Sequence, residues 1–188
     1  QGFPSLASHG YENLPAFYSP DLVNADQGLQ ELVEGIRQHR EARLCFYGPS
    51  GTGKTAFGRW IARELGQPLH SRRASDLVSP YVGMTERNFA EAFETASRDG
   101  AVLLLDEVDT FLQDRRTVRH SWEVSAVNEM LTQMESYRGL FIASTNLMDN
   151  LDPAAMRRFD LKIHFGYLKP EQISALLDQL LAEMELRR

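Results

Sequence analysis

Short runs in which every residue is apolar alternate along this sequence with longer stretches in which apolar residues recur every three or four positions. A run that is apolar throughout predicts a strand buried on both faces, whereas the longer spacing predicts an amphipathic helix. We therefore expect an α/β fold with a parallel sheet that helices cover on both faces. The predicted strands are 44–47, 69–72, 101–105, 140–143 and 161–165, and the predicted helices are 29–36, 56–65, 89–96, 124–134 and 173–184.

The two ends of the chain differ from this alternation. Residues 1–20 contain three prolines and aromatic residues without a period, which predicts an extended arm rather than a helix or strand. The last helix begins at Pro170 and carries an apolar stripe that needs a partner. The chain opens on Gln1 without a methionine or a basic and apolar leader, so we expect no secretory signal and a piece cut from a longer chain.

Composition narrows the possibilities only a little. The 188 residues are 43% apolar and 24% charged, with a net charge of −6, which is typical of one globular core and disfavours a nucleic-acid coat. Cys45 is the only cysteine, so no intrachain disulfide forms, and a reducing compartment such as the cytoplasm is expected. The longest apolar run, 101–105, is far shorter than the roughly 20 residues that cross a bilayer, which predicts a soluble protein without a membrane segment.

A glycine-rich loop joins the strand at 44–47 to the next helix. Residues 48–55 read Gly-Pro-Ser-Gly-Thr-Gly-Lys-Thr, the spacing of a phosphate-binding loop. Glycines let several backbone N–H groups point at one anion, Lys54 adds a positive charge, and the Thr55 hydroxyl can ligate Mg²⁺. The alternative is a glycine-rich turn that binds nothing. The candidate nucleotide-binding residues are Pro49, Ser50, Gly51, Thr52, Gly53, Lys54, Thr55 and Ala56.

Two carboxylates follow the apolar run at 101–105. Asp106 stands at the end of a predicted buried strand, where it can bind Mg²⁺ together with Thr55. Glu107 points elsewhere, because strand side chains alternate, and can polarise an attacking water molecule. The alternative is that both carboxylates cap the following helix.

These motifs and four further stretches, the last of which is 151–160 with Arg157 and Arg158, resemble the AAA family of ring-forming ATPases over roughly residues 22–188. Tyr81, Val82 and Gly83 resemble the family's first pore loop, which contacts the substrate. The segment 106–109 extends the carboxylate pattern in the family's manner. Asn146 follows an apolar strand as the family's polar sensor does, and the resemblance implies that it orients the attacking water.

The resemblance also implies a P-loop NTPase fold and a division of the chain. The AAA-type core has five parallel strands, and its sensor strand lies between the strand before the phosphate loop and the strand before Asp106. Asn146 would then lie beside Lys54 and Glu107. Three parts are implied: an N-terminal arm at 1–21, a large ATPase subdomain at 22–168, and the first helix of an incomplete lid subdomain at 169–188.

Partners and cofactors follow from the same resemblance. ATP and Mg²⁺ are the implied cofactors, and Val23 and Asn24 occupy the stretch that would contact adenine. The chain would form a homo-hexameric ring in which Arg157 and Arg158 reach the nucleotide of the neighbouring subunit as arginine fingers. The family often has two residues between these arginines, but here they are adjacent, so which one is the finger stays open.

Two loop assignments have competing interpretations. Tyr81 would grip an extended polypeptide from a pore loop, or it would pack against the start of its own helix. The basic stretch 113–122, which contains Arg115, Arg116 and Arg119, would form a second pore loop or a solvated turn.

Three functional hypotheses result. We favour an ATPase that remodels or threads a protein substrate. The second hypothesis is a nucleic-acid motor or loader, which only the basic residues at 115–119 encourage. The third is an assembly switch that binds ATP without hydrolysing it, and Glu107 speaks against that.

Overall fold

A six-stranded sheet organises the part of the chain that the structure, a computed structural model, describes: residues 18–109, 121–146 and 152–186. Five neighbouring strands are parallel, and a two-residue strand pairs antiparallel at one edge. The strands are β1 Asn24–Ala25, β2 Ala42–Tyr47, β3 Leu69–Arg73, β4 Val102–Asp106, β5 Leu140–Thr145 and β6 Leu161–Gly166. Their spatial order is β1-β6-β2-β5-β4-β3.

Helices of very different length connect these strands. The longer ones within the described residues are α1 Leu29–His39, α2 Lys54–Leu65, α4 Met84–Asp99, α5 Ser121–Ser136 and α7 Pro170–Leu186. The short ones are α3 Ala74–Leu77, α6 Pro153–Met156 and a 3-10 turn at Pro20–Leu22. None of the helices in these ranges is long and apolar enough to cross a lipid bilayer.

The predicted fold class is confirmed, with one addition. The five predicted strands and the five predicted helices are present, and β5 lies between β2 and β4 as the resemblance implied. The expectation of a five-stranded sheet omitted β1, which pairs with β6 through Asn24 and Ala25. Two residues are too few to show a hydrophobic period, so the sequence pattern could not predict this strand. Residues 1–17 of the predicted arm lie outside the described residues.

The core consists of two apolar layers, one on each face of the sheet. Leu44 and Phe46 of β2 face the layer formed with α1 and α2, whereas Cys45 faces the layer formed with α4 and α5. Successive residues of one strand thus enter opposite layers, which is why the central strands are apolar at every position. Each fully buried Phe or Leu in these layers contributes about 1.5–3 kcal/mol to folding.

Parallel pairing brings the functional segments together at one edge of the sheet. β2, β4 and β5 run in the same direction, so their carboxyl ends at Tyr47, Asp106 and Thr145 lie side by side. Ligands of open α/β sheets bind in the crevice outside these strand ends. The phosphate loop, the two carboxylates and Asn146 all begin there.

Candidate functional site

The phosphate loop takes its shape from glycines with left-handed backbone angles. Gly48, Gly51 and Gly53 have φ angles of 137°, 79° and 93°, a region that residues with a β-carbon rarely adopt. At Gly48, a β-carbon would also lie 2.0 Å from the carbonyl oxygen of Phe165 on β6. The loop therefore depends on glycine at this position for both its conformation and its packing.

Lys54, the first residue of α2, occupies the centre of the loop. Its ammonium group donates to the carbonyl oxygens of Gly48 at 2.7 Å and Pro49 at 2.8 Å, and to Oδ1 of Asn146 at 2.9 Å. Only 6% of the residue is exposed. Burial lowers the pKa of Lys54, and the nearby carboxylates of Asp106 and Asp109 oppose that shift. Asn146 thus lies beside Lys54, in the position that the resemblance implied.

A hydroxyl group and a carboxylate meet where a metal ion would bind. The Thr55 hydroxyl donates to Oδ2 of Asp106 at 2.6 Å. The other carboxylate oxygen of Asp106 accepts from the Ser144 hydroxyl and, at 3.2 Å, from the Glu107 backbone N–H. These are hard oxygen donors of the kind that Mg²⁺ prefers. No group of three or more His, Cys, Asp or Glu side chains suited to a metal occurs in the described ranges.

Glu107 is exposed and contributes to the same cleft. Its φ angle of 57° is left-handed, which is unusual for a residue with a β-carbon and typical of strained functional positions. The cleft has a volume of about 330 Å³. Its lining residues are Ser50, Gly51, Gly53, Lys54, Thr55, Ala56, Arg59, Asp106, Glu107 and Asn146.

Sequence reasoning missed Arg59 as a member of this cleft. Arg59 lies four residues after Thr55 on α2, and that spacing puts both side chains on one helix face. The same spacing could have identified it from the sequence. The Nε atom of Arg59 is buried and has no hydrogen-bond partner among the described residues, so this donor of the cleft is unsatisfied there.

A larger and more apolar cavity of about 540 Å³ adjoins the phosphate cleft and shares Gly51 and Gly53 with it. Val23 and Thr52 line this cavity, and the Thr52 hydroxyl donates to the Pro49 carbonyl at 2.8 Å. The remaining lining residues are Tyr18, Ser19, Leu22, Tyr167, Leu168, Ile173 and Leu176. A cavity with this lining can accept a flat apolar group, and the shared glycines join it to the phosphate cleft.

Asn24 is not among the residues that line the apolar cavity, and its contact with adenine stays a prediction. Its side-chain amide donates to the Tyr167 carbonyl at 2.7 Å, and its backbone belongs to β1. The physical reason is the pairing of β1 with β6, which commits Asn24 to the sheet edge. Val23, one residue earlier, remains in the cavity.

The segment with Tyr81 and Val82 forms an exposed tip before α4. Tyr81 is 73% exposed and Val82 is fully exposed, so Tyr81 does not pack against the start of its own helix. Hydrogen bonds hold the base of this loop, since the buried Thr85 hydroxyl accepts from the Ser79 N–H at 2.9 Å. Gly83, with a φ angle of 78°, then turns the chain into α4. The second candidate loop, including Arg115, Arg116 and Arg119, lies outside the described residues up to position 120.

The two adjacent arginines have different surroundings. Arg158 Nε lies 2.5 Å from Glu135 Oε1, and its Nη1 donates to the Ala154 carbonyl at 3.4 Å. Arg157 is exposed and makes no ion pair with a residue in the described ranges. Both arginines follow α6. The Asp152 side chain caps the start of this helix by accepting from the Ala154 N–H at 2.9 Å.

Comparison with known proteins agrees with this geometry. The family described as "ATPase family associated with various cellular activities (AAA)" matches residues 44–167, which include the phosphate loop, both carboxylates, Asn146 and the two arginines. The chain belongs to the AAA family. It therefore contains a P-loop NTPase domain, and nucleotide binding is the property that this domain shares with the family.

Individual AAA relatives are longer than this chain. It is 37% identical over 185 residues to the uncharacterized AAA family ATPase y4kL of Sinorhizobium fredii, covering 90% of this chain and 56% of that protein. It is 31% identical over 169 residues to protein CdcH of Halobacterium salinarum, covering 81% and 22%. It is 32% identical over 165 residues to the ATP-dependent zinc metalloprotease FtsH of Alkalihalophilus pseudofirmus, covering 76% and 24%. The chain thus spans between about a fifth and just over half of these relatives.

Proposed function

We propose that this AAA domain binds Mg-ATP and hydrolyses it. One observation carries the proposal: an ammonium group, a hydroxyl–carboxylate pair and an exposed glutamate line one cleft of about 330 Å³ that adjoins an apolar, base-sized cavity. A nucleoside triphosphate has the matching order of parts, with an apolar base at one end and a charged phosphate chain at the other. The shared Gly51 and Gly53 would lie at the junction between them.

Each residue would then have a defined role. Backbone N–H groups of the loop and Lys54 would bind the phosphates, with Lys54 exchanging its present carbonyl partners for phosphate oxygens. Thr55 and Asp106 would hold Mg²⁺, which when bound neutralises charge on the phosphates. Glu107 would polarise the attacking water, and Asn146 would orient it next to the terminal phosphate.

A ring is the proposed assembly, with protein as the substrate. Arg157 is exposed and unpaired within the described residues, as a residue that acts on a neighbouring subunit must be. Tyr81 and Val82 form an exposed aromatic and aliphatic tip, which suits steric contact with varied polypeptides. Relatives named as ATP-dependent zinc metalloproteases act on proteins, which supports a protein substrate for this chain. The proposed ring is a homo-hexamer. We propose that it acts in the cytoplasm, because a chain with one cysteine uses no intrachain disulfide, as is typical of reducing compartments.

We propose the domain boundaries in the same way. Residues 22–168 would be the large ATPase subdomain, with 1–21 as an arm before it, and α7 would begin the lid at 169–188. Gln172 of α7 donates to the Val23 carbonyl at 3.1 Å, so the lid helix contacts the wall of the base cavity. Leu177 and Leu181 remain exposed on α7, which is expected of the first helix of a larger helical unit.

Two variants test hydrolysis separately from binding. Lys54→Ala should weaken Mg-ATP binding by about tenfold or more, because a charge-assisted contact to the phosphates is lost. Glu107→Gln should keep the affinity within about threefold and lower turnover by about 100-fold or more. Calorimetric titration measures the first property and phosphate release measures the second.

Lys162→Ala and Glu91→Gln are matched controls, since both side chains are exposed outside the cavities. Both should behave as the parent protein. Thermal unfolding of the Lys54 variant checks that its buried site remains folded. Unchanged turnover in Glu107→Gln would remove that residue from its role, and tight ATP binding without turnover in the parent ring would favour the assembly switch.

A further inference from the structure

We propose that Asp109 is a positioning residue that holds Asn146 against Lys54. This role is additional to those of Asp106 and Glu107, and only its activity test rests on the proposed function. Its Oδ1 atom accepts from the backbone N–H of Asn146 at 2.8 Å and also from the Thr145 hydroxyl. Asn146 in turn accepts from the Lys54 ammonium at 2.9 Å. A continuous set of hydrogen bonds therefore runs from Asp109 through Asn146 to the phosphate loop.

The backbone after β4 explains how Asp109 reaches β5. Glu107 is left-handed, with a φ angle of 57°, and this angle turns the chain back as it leaves the sheet. Val108 is then buried, and its N–H donates to the Ser144 carbonyl at 3.0 Å. Asp109 follows directly and faces the end of β5.

Asn146 needs such a support because it lies beyond the sheet. β5 ends at Thr145, and Asn146 is the first residue after it, so no strand pairing fixes its backbone. The hydrogen bond that the Asn146 N–H donates to Oδ1 of Asp109 at 2.8 Å supplies this contact instead. The carboxylate of Asp109 thus holds the first residue after the point where the pairing of β2 with β5 ends.

The position of Asn146 matters for the chemistry that the site would perform. A displacement of about 1 Å in a group that orients a reactant costs up to roughly 100-fold in rate. Binding of the phosphates depends instead on the loop backbone and Lys54. We therefore expect Asp109 to affect the rate of hydrolysis strongly and the affinity for ATP weakly.

Two conservative variants separate the hydrogen bonds of Asp109 from its charge. Asp109→Asn removes the charge and keeps an acceptor oxygen in place, whereas Asp109→Glu keeps the charge and moves the oxygens by about one methylene length. Asp109→Asn should keep kcat within about threefold of the parent value, and Asp109→Glu should lower kcat by about tenfold or more. KM and the Kd for Mg-ATP should stay within about threefold in both variants. Asp76→Ala, an exposed carboxylate on α3, is the control and should match the parent.

An activity-independent measurement keeps the proposal testable if the parent protein does not hydrolyse ATP. Amide hydrogen exchange at Asn146, measured without nucleotide, should be about tenfold faster or more in Asp109→Glu and within about threefold of the parent in Asp109→Asn. The Ile142 amide in the centre of β5 is the internal reference and should not change.

The opposite order of the two variants would overturn the proposal, because charge rather than position would then matter. Equal acceleration at Asn146 and Ile142 would also overturn it, since Asp109 would then support only global stability. An absence of turnover in the parent with the expected exchange pattern would contradict the proposed function and leave the positioning role supported.

Discussion

Arg43 and Asp160 are joined by four hydrogen bonds between the start of β2 and the segment after the paired arginines. The Asp160 carboxylate accepts from the Arg43 backbone N–H at 2.8 Å and from its Nε and Nη2, each at 3.1 Å. The Asp160 N–H donates to the Arg43 carbonyl at 2.8 Å. This contact raises the pKa of Arg43 and fixes the chain two residues after Arg158 onto the strand that leads to the phosphate loop.

We predict that Asp160→Ala lowers the free energy of unfolding by about 1–2 kcal/mol. The variant loses a bidentate ion pair and leaves the Arg43 N–H without its acceptor, while partial exposure of both side chains limits the effect. Arg37→Ala removes another ion pair, with Glu34, and should cost less than about 0.5 kcal/mol. Denaturant titration of both variants measures the difference, and equal values would show that the Asp160 contact adds nothing beyond a surface ion pair.

Gly48 is expected to tolerate no side chain. We predict that Gly48→Ala costs more than about 3 kcal/mol, since its β-carbon would lie 2.0 Å from the Phe165 carbonyl oxygen at a left-handed φ of 137°. Gly51→Ala is the control, because its φ is also left-handed but no atom of the described residues lies within 4 Å of the added carbon. It should cost only about 1–2 kcal/mol of backbone strain. Thermal unfolding distinguishes the two, and similar losses would mean that β6 moves away without cost.

Arg157 and Arg158 should differ in what they support. We predict that Arg157→Ala keeps the parent's stability and lowers turnover of the assembled ring by about 1000-fold, because a residue that neutralises transferring phosphate is lost. Arg158→Ala should lower stability by about 1 kcal/mol, since Glu135 loses its partner.

The two properties are measured on the same samples, by phosphate release at a protein concentration that saturates assembly and by denaturant titration. Comparable loss of turnover in both variants at equal stability would assign the finger role to Arg158 as well. Full turnover in Arg157→Ala would exclude Arg157 from catalysis in the neighbouring subunit.

Tyr81 is expected to act on substrate rather than on nucleotide. We predict that Tyr81→Ala changes stability by less than about 0.5 kcal/mol and keeps ATP turnover, because the side chain is 73% exposed and lies outside both proposed nucleotide cavities. Unfolding or threading of a tagged protein substrate should be lost, whereas Tyr81→Phe should retain it. Equal loss of turnover and remodelling in Tyr81→Ala would count against the pore-loop role.

Local sequence patterns determined the elements and the chemistry of the phosphate loop. Fully apolar runs predicted the central strands, because a strand covered on both faces must be apolar at every residue. The glycine spacing around Lys54 predicted the loop, because its backbone angles require residues without a β-carbon. These signals are local, so they are visible in one sequence without any knowledge of what lies nearby in space.

Other features depend on residues far apart in the chain, and only the tertiary structure decided them. β1 has two residues and forms by pairing with β6, and its Asn24 side chain donates to the Tyr167 carbonyl. Arg158 differs from Arg157 because Glu135 comes from the end of another helix. Asp109 accepts from the Asn146 N–H because β5 ends beside β4, and no local sequence pattern encodes this order of strands. Hydrophobic period and loop chemistry thus belong to the sequence, whereas strand order and side-chain pairing follow from how the layers pack.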